Sequence, residues 1–425
     1  MTAVATLPVL STDGFEAPAL GAPARRDLCT DCGVSRSSHA SECGKACQFI
    51  HPRYEELERQ VHGRARDAAR GDEAWFGPYL EMWRARLTRP RAGAQWTGLT
   101  TRIAERLLET GAVDAVIATA SDPADRWRPV PVLVTEASAM ARCRGMKMGY
   151  APALALLDEA AARGYTRLAV VGVACQVHAL RALEPRLGLH ALYVIGTPCS
   201  DNTHTERFHE FLALLTERPQ DVTYLEFMPD FRVELRFRDG ATKHIPFIRL
   251  PISKLPADFI PLTCRACVDY ANALADVTVG YMAGEGEQWL IVRNARGREL
   301  VRMLGDEVVT SPLGARGRRA SAVKVVVGAL ARSTGGLPVR RAPDWARPII
   351  GWAQRAFGPR GLEFARARVE MKLAEAVLNL RRERPRRVAR MVPAHAWPLL
   401  ATYGIAPRAG ERPRAGADAH RDGRA

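Results

Sequence analysis

Twice in its first half the chain runs helix, glycine, apolar strand, and that repeat restricts the fold more than any other feature of its 425 residues. The stretch "TTRIAERLLETGAVDAVIATAS" reads as an amphipathic helix ending at Gly111 and then a short strand. The stretch "YAPALALLDEAAARGYTRLAVVGVACQVHALRALE" repeats the order, and "HALYVIGTPC" adds another apolar strand. Helices alternating with strands buried on both faces predict an α/β fold whose core is an open, largely parallel sheet. Between Thr223 and Phe247 apolar and polar residues alternate around Asp239-Gly240, which predicts an antiparallel hairpin layer.

Around this core we read residues 1–26 as a flexible Pro/Ala-rich leader and 27–94 as a cysteine-rich amino-terminal segment. The α/β domain takes 95–300, a basic helical carboxyl-terminal extension 301–404, and a disordered tail 405–425. The amino end carries Asp13 and Glu16 where a secretory signal would be apolar, so the chain is expected in the cytoplasm. Its longest clean apolar run, Leu168 to Val177, falls well short of the ~20 residues of a membrane span. A net charge of +15 implies an acidic partner, whether nucleic acid, an anionic membrane surface or an acidic protein such as a ferredoxin.

In a reducing compartment nine cysteines point to metal ligands or buried thiols rather than disulfides. Cys29, Cys32, Cys43 and Cys47 stand in a C-x2-C-x10-C-x3-C spacing that suits either structural zinc or a [4Fe–4S] cluster. His39 and His51 compete as zinc ligands but read as ordinary loop histidines. Cys175 and Cys199 lie just past the carboxyl ends of predicted strands, the edge where open α/β sheets bind ligands, though by themselves they read better as small buried apolar residues. Cys264 and Cys267 form a C-x2-C, and Cys143 has no partner in the sequence.

The segments "VACQVHALRALE", "YVIGTPCSDNT", "YLEFMPDFRVEL" and "LTCRACVDYANALADVTVGYMAGEGEQWLIVRNARGREL" resemble the family of the coenzyme F420 hydrogenase and dehydrogenase beta subunits. They are most similar to its pigment-reducing branch, which holds the ferredoxin-dependent 8-vinyl reductases of divinyl (proto)chlorophyllide and the plant 7-hydroxymethyl chlorophyll a reductases. The resemblance runs from about Cys29 to Leu300. It implies an iron–sulfur flavoenzyme with FAD and two [4Fe–4S] clusters, one on Cys29, Cys32, Cys43 and Cys47, the other on Cys175, Cys199, Cys264 and Cys267. Where plant members carry a third early cysteine this chain has Ser35, so Cys43 and Cys47 complete the first set.

Flavin contacts leave a weaker trace, because no G-x-G-x-x-G follows a strand. "QWTGLTTRIAE" offers a small-residue turn into a helix, making Gly98, Thr100 and Thr101 candidates for a phosphate, or simply a capped helix start. Arg126, Arg128 and Lys147 are candidates for a pyrophosphate or substrate carboxylate, or are surface charge. His178, Asp201 and Asp269 are the candidate proton donors. Trp96, Trp127, Tyr270 and Trp289 suit a flat macrocycle or the core.

From Leu362 to about Arg384 apolar residues (Leu362, Phe364, Ala365, Val369, Leu373, Ala376, Val377, Leu380) recur at helical intervals, fitting a helix packed on the domain or one lying peripherally on a photosynthetic membrane. The sequence thus reads as a ferredoxin-dependent reductase of the 8-vinyl group of divinyl chlorophyllide or protochlorophyllide, with no nucleic-acid partner and with homo-oligomerisation left open. Within the family the alternatives are a 7-hydroxymethyl chlorophyll reductase, or an electron-transfer subunit linked to F420 or a hydrogenase. From another class, a zinc-stabilised basic nucleic-acid-binding protein also fits the first cysteine set. The uninterrupted "GYMAGEGEQWLIVRN" favours the vinyl reductase over the plant enzyme.

Overall fold

A computed structural model of the chain describes residues 9–10, 28–228, 231–281, 287–332, 345 and 347–411. Its strands are β1 (Val9–Leu10), β2 (Glu81–Leu87), β3 (Ala115–Ser121), β4 (Pro129–Val134), β5 (Arg167–Gly172), β6 (Ala191–Gly196), β7 (Val222–Phe227), β8 (Arg232–Phe237), β9 (Thr242–Pro246), β10 (Val277–Gly280), β11 (Gln288–Val292) and β12 (Val308–Ser311), with a separate short pair, β13 (Ala315–Arg316) and β14 (Arg360–Gly361). Nine of them form one sheet in the order β1-β4-β3-β5-β6-β10-β11-β2-β12. Its centre, β3-β5-β6-β10, is parallel, as the sequence led us to expect. The β3/β4, β10/β11, β11/β2 and β2/β12 pairs are antiparallel. Short links explain two of these, since residues 122–128 and 281–287 are too few for the crossover that parallel neighbours need.

Alternate residues of the central strands feed two cores. Val116, Ala169 and Ile195 face one, under helix Leu99–Glu109; Ile117, Val170 and Val194 face the other, under helices Leu156–Ala162 and Ala174–Leu183. Burial on both faces is what made these strands read as continuous apolar runs. Helix Leu99–Glu109 gives way at Gly111, whose φ of 65° is the left-handed turn that a glycine permits after a helix. The predicted hairpin is present as β8 and β9, turned at Gly240, within a three-stranded antiparallel sheet β7-β8-β9.

Three boundaries differ from the reading above. Strand β2 lies inside the span assigned to the cysteine-rich segment yet belongs to the main sheet, between β11 and β12. Residues 9–10 of the leader pair with β4, and the rest of 1–26 lies outside the described residues. Of the tail, Ile405 is buried and Glu411 pairs with Arg381 at 2.6 Å, while 412–425 lie outside the described residues, as do 282–286 of the "GYMAGEGEQWLIVRN" stretch.

The long helix Leu362–Glu383 packs on the domain. Ala365, Val369, Leu373, Ala376, Val377 and Leu380 are all buried, most of them in one core with Phe49, Tyr270 and Trp289. That apolar face is used inside the protein, which corrects the membrane-surface alternative for this helix.

A buried ion pair ties the parallel centre together: Arg181 and Asp276, both fully buried, lie 2.9 Å apart. Asp276 Oδ2 also accepts the Val194 N–H at 2.7 Å, fixing β10 against β6. Burial opposes the Asp276 charge, but Arg181, Arg296, Asn294 and that N–H together outweigh it and hold the carboxyl below its ordinary range. Asp276→Asn is expected to remove about 3 kcal/mol of stability by leaving the buried Arg181 guanidinium with only the partly exposed Glu184, 3.0 Å away, as counter-charge. Because the folded carboxyl titrates low, its contribution is complete above about pH 4 and fades as pH falls through the folded value. Urea midpoints of wild type and variant should therefore converge toward pH 3; curves that stay parallel would refute the assignment.

Candidate functional site

At the carboxyl edge of the parallel strands lies a cleft of about 430 Å³, within the range of small-molecule sites. Ala118 and Thr119 come from β3, Val171 and Gly172 from β5, and Val279 and Gly280 from β10, with Thr197 just past β6. Cys175, Cys199, Cys264 and Cys267 all line it. Parallel strands end side by side, so residues just past β5 and β6 are brought together, and the loop before β10 adds the C-x2-C.

Asn272 sets this edge. At a φ of 56° it turns its Nδ2 to the carbonyls of Gly172 at 2.8 Å and Thr197 at 3.4 Å, joining the ends of β5 and β6. The Cys199 N–H donates to the Tyr270 carbonyl at 3.0 Å. Cys175 sits in the first turn of helix Ala174–Leu183, whose Gln176 Oε1 accepts the Val173 N–H at 3.1 Å. The four thiols act on one another: burial first, then Cys267, Cys199 and Cys264, raise the Cys175 thiol well above its ordinary value. Burial likewise pushes Cys267 up to about 11.

The amino-terminal cysteines lie close enough to influence one another. Burial pushes Cys32 up to about 12, with smaller contributions from the charges of Cys47, Cys43 and Cys29. Ser35 is not needed for this grouping. Gly33, at a φ of 108°, lets the segment press on residues 152–155, where a Cβ would stand 2.4 Å from the Ala155 nitrogen. The Leu154 N–H donates to the Cys32 carbonyl at 3.0 Å, and Ser38 bonds Asp158 through both its N–H and its hydroxyl at 2.7 Å. The segment also reaches the second set, since the Thr30 hydroxyl bonds the Cys175 sulfur and Gln48 Nε2 lies 3.6 Å from Cys267 Sγ. Thr30 and Gln48 adjoin Cys29 and Cys47 in the chain, so the two sets are neighbours, on the order of 10 Å apart.

The other predicted site residues divide. Gly98, Thr100 and Thr101 line the cleft at the start of helix Leu99–Glu109, with Gly98 at a φ of 84°. Lys147 lines it as well, but Nζ is engaged by the carbonyls of Cys143, Arg144 and Gly145 at 2.6, 3.0 and 3.2 Å, which occupies the three donors a phosphate would need. Arg126 does not line the cleft and lies exposed over Trp127. Arg128 pairs with Glu206 at 2.9 Å.

Of the proposed acids, only Asp201 faces the cleft. His178 is fully buried, its Nδ1 3.0 Å from the Ala46 carbonyl and its Nε2 accepting the Arg53 N–H at 3.4 Å. Burial lowers it to about 4, so it is neutral and serves to hold the amino-terminal segment. Asp269 accepts the Ala273 N–H at 3.0 Å away from the cleft. Trp96 faces the cleft with its ring 5.5 Å from that of Tyr281 and tilted 40° to it, whereas Trp127, Tyr270 and Trp289 are core residues. Cys143 lines the cleft without joining either set.

Two residues escaped the sequence reading. Lys372, from the long carboxyl-terminal helix, comes within 2.5 Å of Asp201 and 3.1 Å of Glu375, and bonds the Cys264 carbonyl. It is the buried cation beside the second cysteine set. Glu226, on β7, also lines the cleft.

Fold and cleft together define an α/β protein with a cysteine-lined site at its strand ends. The chain belongs to the family of the coenzyme F420 hydrogenase/dehydrogenase beta subunit: residues 82–158 match the amino-terminal model of that protein and residues 165–312 the carboxyl-terminal one. It is 35% identical to an uncharacterized protein of Nostoc sp. over 89% of this chain and 94% of that one. It is also 35% identical to the chloroplastic 7-hydroxymethyl chlorophyll a reductase of Oryza sativa subsp. japonica, over 89% of this chain and 83% of that one. A component of the F(420)H(2) dehydrogenase of Methanosarcina mazei is 28% identical over 52% of this chain and 62% of its own length. A chain of the F420-reducing [NiFe] hydrogenase complex from Methanosarcina barkeri shares the fold with a TM-score of 0.50 at 19% identity, covering 67% of this chain and 91% of that one.

Proposed function

We propose that this protein is an iron–sulfur flavoenzyme that takes electrons from reduced ferredoxin and reduces the 8-vinyl group of 3,8-divinyl chlorophyllide or protochlorophyllide. The observation that carries the reading is the placement of two four-thiol sets side by side, one of them in the wall of a strand-end cleft. Cys29, Cys32, Cys43 and Cys47 would hold one [4Fe–4S] cluster and Cys175, Cys199, Cys264 and Cys267 the other. FAD would enter the cleft, its phosphates toward the helix start at Thr100 and Thr101. Bound there, the clusters supply one-electron transfer and the flavin a two-electron reduction.

The chain's own residues do the rest. Trp96 and Tyr281 offer an aromatic wall to a flat macrocycle, and the charge of +15 draws in an acidic ferredoxin. The 35% identity to a 7-hydroxymethyl chlorophyll a reductase favours a second reading, in which the same site reduces that substituent instead. Among the described residues no helix is long and apolar enough to cross a membrane. We place the enzyme in the cytoplasm beside the photosynthetic membrane.

Anaerobic purification followed by iron, zinc and flavin analysis tests this directly. About eight irons and one FAD per chain are expected, with divinyl chlorophyllide converted to its monovinyl form by reduced ferredoxin. Conversion of 7-hydroxymethyl chlorophyll alone would select the second reading. Zinc without flavin would sink both.

A further inference from the structure

Two carboxyl groups line the cleft among the described residues, and only one is neutralised. Asp201 is held by Lys372 at 2.5 Å. Glu226, 6% exposed, has neutral partners: Gln95 Nε2 donates to Oε1 at 3.1 Å and the Tyr224 hydroxyl to Oε2 at 3.0 Å. Burial is the largest influence on it and pushes it up to about 7 against those two bonds and a third from the Phe227 N–H, with a smaller push from Glu234. Nearby cations are taken by Glu234, which pairs with Arg236 at 2.7 Å and His244 at 2.9 Å. Arg236 otherwise lies over the Tyr224 ring, 4.2 Å from its centre. A carboxyl poised near neutrality at the wall of a reaction cleft has the properties of a general acid.

We propose that Glu226 is the proton donor of this site, an inference that rests on the functional reading above. Saturating a vinyl group adds two electrons and two protons. One carbon receives a hydride equivalent, drawn from a two-electron donor that ferredoxin recharges one electron at a time. The other carbon receives a proton: the Glu226 O–H bond breaks, a C–H bond forms, and the carboxylate recovers its proton from solvent. With a hydroxymethyl substrate the same proton goes to the departing oxygen, which leaves as water.

Glu226→Gln keeps the side chain's size and its two neighbours. The variant is expected to bind its cofactors and accept electrons from reduced ferredoxin at the wild-type rate, but to reduce pigment about 10²-fold more slowly. The wild-type rate should fall as pH rises through about 7, because the acid form is consumed, and that fall should vanish in the variant. Glu226→Asp should restore part of the rate. Infrared spectroscopy reads the group without turnover, as a carboxylic-acid band in the wild type that titrates near pH 7 and is missing in Glu226→Gln. An unchanged rate and pH profile in Glu226→Gln, or no such band, would overturn the donor while leaving the functional reading intact. Wild-type protein that carries clusters and flavin yet reduces no chlorophyll-type pigment would overturn the reading itself, and the donor with it.

Discussion

Replacing Cys264 with serine is expected to remove one cluster's iron, about four of about eight atoms per chain, and to abolish pigment reduction while the protein stays folded. Serine offers a hard hydroxyl, which does not ionise at neutral pH as a thiolate ligand must. The change conserves volume, so the fold should lose less than about 1.5 kcal/mol. Tyr150, whose hydroxyl lies 3.6 Å from Cys264 Sγ, can bond a serine equally well. The turn Leu262–Arg265 stays in place because Arg265 reaches the Ile260 carbonyl at 2.9 Å, Asn379 at 3.0 Å and Glu383 at 2.7 Å. Cys143→Ser provides the control. That thiol shares the cleft, but its charge neighbour is Lys147 and not another cysteine, so full iron and near-normal turnover are expected. Full iron and full activity in Cys264→Ser would remove the second cluster from the proposal, and iron loss from Cys143→Ser would redraw its ligand set.

The centre of the sheet was legible because each of its strands is buried on both faces and so carries an unbroken apolar run. Strand β2 was not. Its sequence, "EMWRARL", puts Arg84 and Arg86 outward and Ala85 and Leu87 inward, an alternation that a polar segment rich in arginine conceals. Its place between β11 and β12 is fixed by pairing with residues some two hundred positions away, which no local pattern encodes.

In the site, the first cysteine set stood out by spacing and the gathering of Cys175, Cys199, Cys264 and Cys267 was implied by the family resemblance, whereas the charges that accompany them were not foreseen. Glu226 follows the buried Leu225 and should point outward by strict alternation. It does lie on the face opposite Leu225, across from Glu234, but that face borders the cleft and is buried there, which no pattern within the strand encodes. Lys372 did leave a trace, since Ala365, Val369 and Ala376 share a helical stripe on which it is the one charged position. A lysine on a buried stripe demands a buried counter-charge. Glu375, three positions on, supplies part of it, but Asp201, which supplies the rest, and the Cys264 carbonyl that also accepts from the ammonium group lie far away in the sequence.

That lysine carries the other large effect. Burial alone would discharge Lys372, but Asp201 and Glu375, with the sulfurs of Cys267 and Cys264, hold its ammonium group charged, above its ordinary range. In Lys372→Met the stem still fills its space while Asp201 and Glu375 face each other without the ammonium group, leaving Glu375 only the weaker influence of Arg368. Loss of about 4 kcal/mol is expected, as for one partner removed from a buried pair. The sign with pH follows. Burial already raises Glu375, and without the cation its folded value climbs further, so the penalty is largest at neutral pH and shrinks as acid protonates the carboxyls. Urea midpoints of the two proteins should draw together below about pH 5. A second consequence reaches the proposed cluster: a cation nearby stabilises the reduced, more negative state, so its removal should lower that cluster's reduction potential by about 60 mV or more, tenfold in a one-electron equilibrium. A variant that loses stability but keeps the wild-type potential would reduce Lys372 to a structural cation, whereas a lowered potential would place the carboxyl-terminal helix among the groups that set the direction of electron flow.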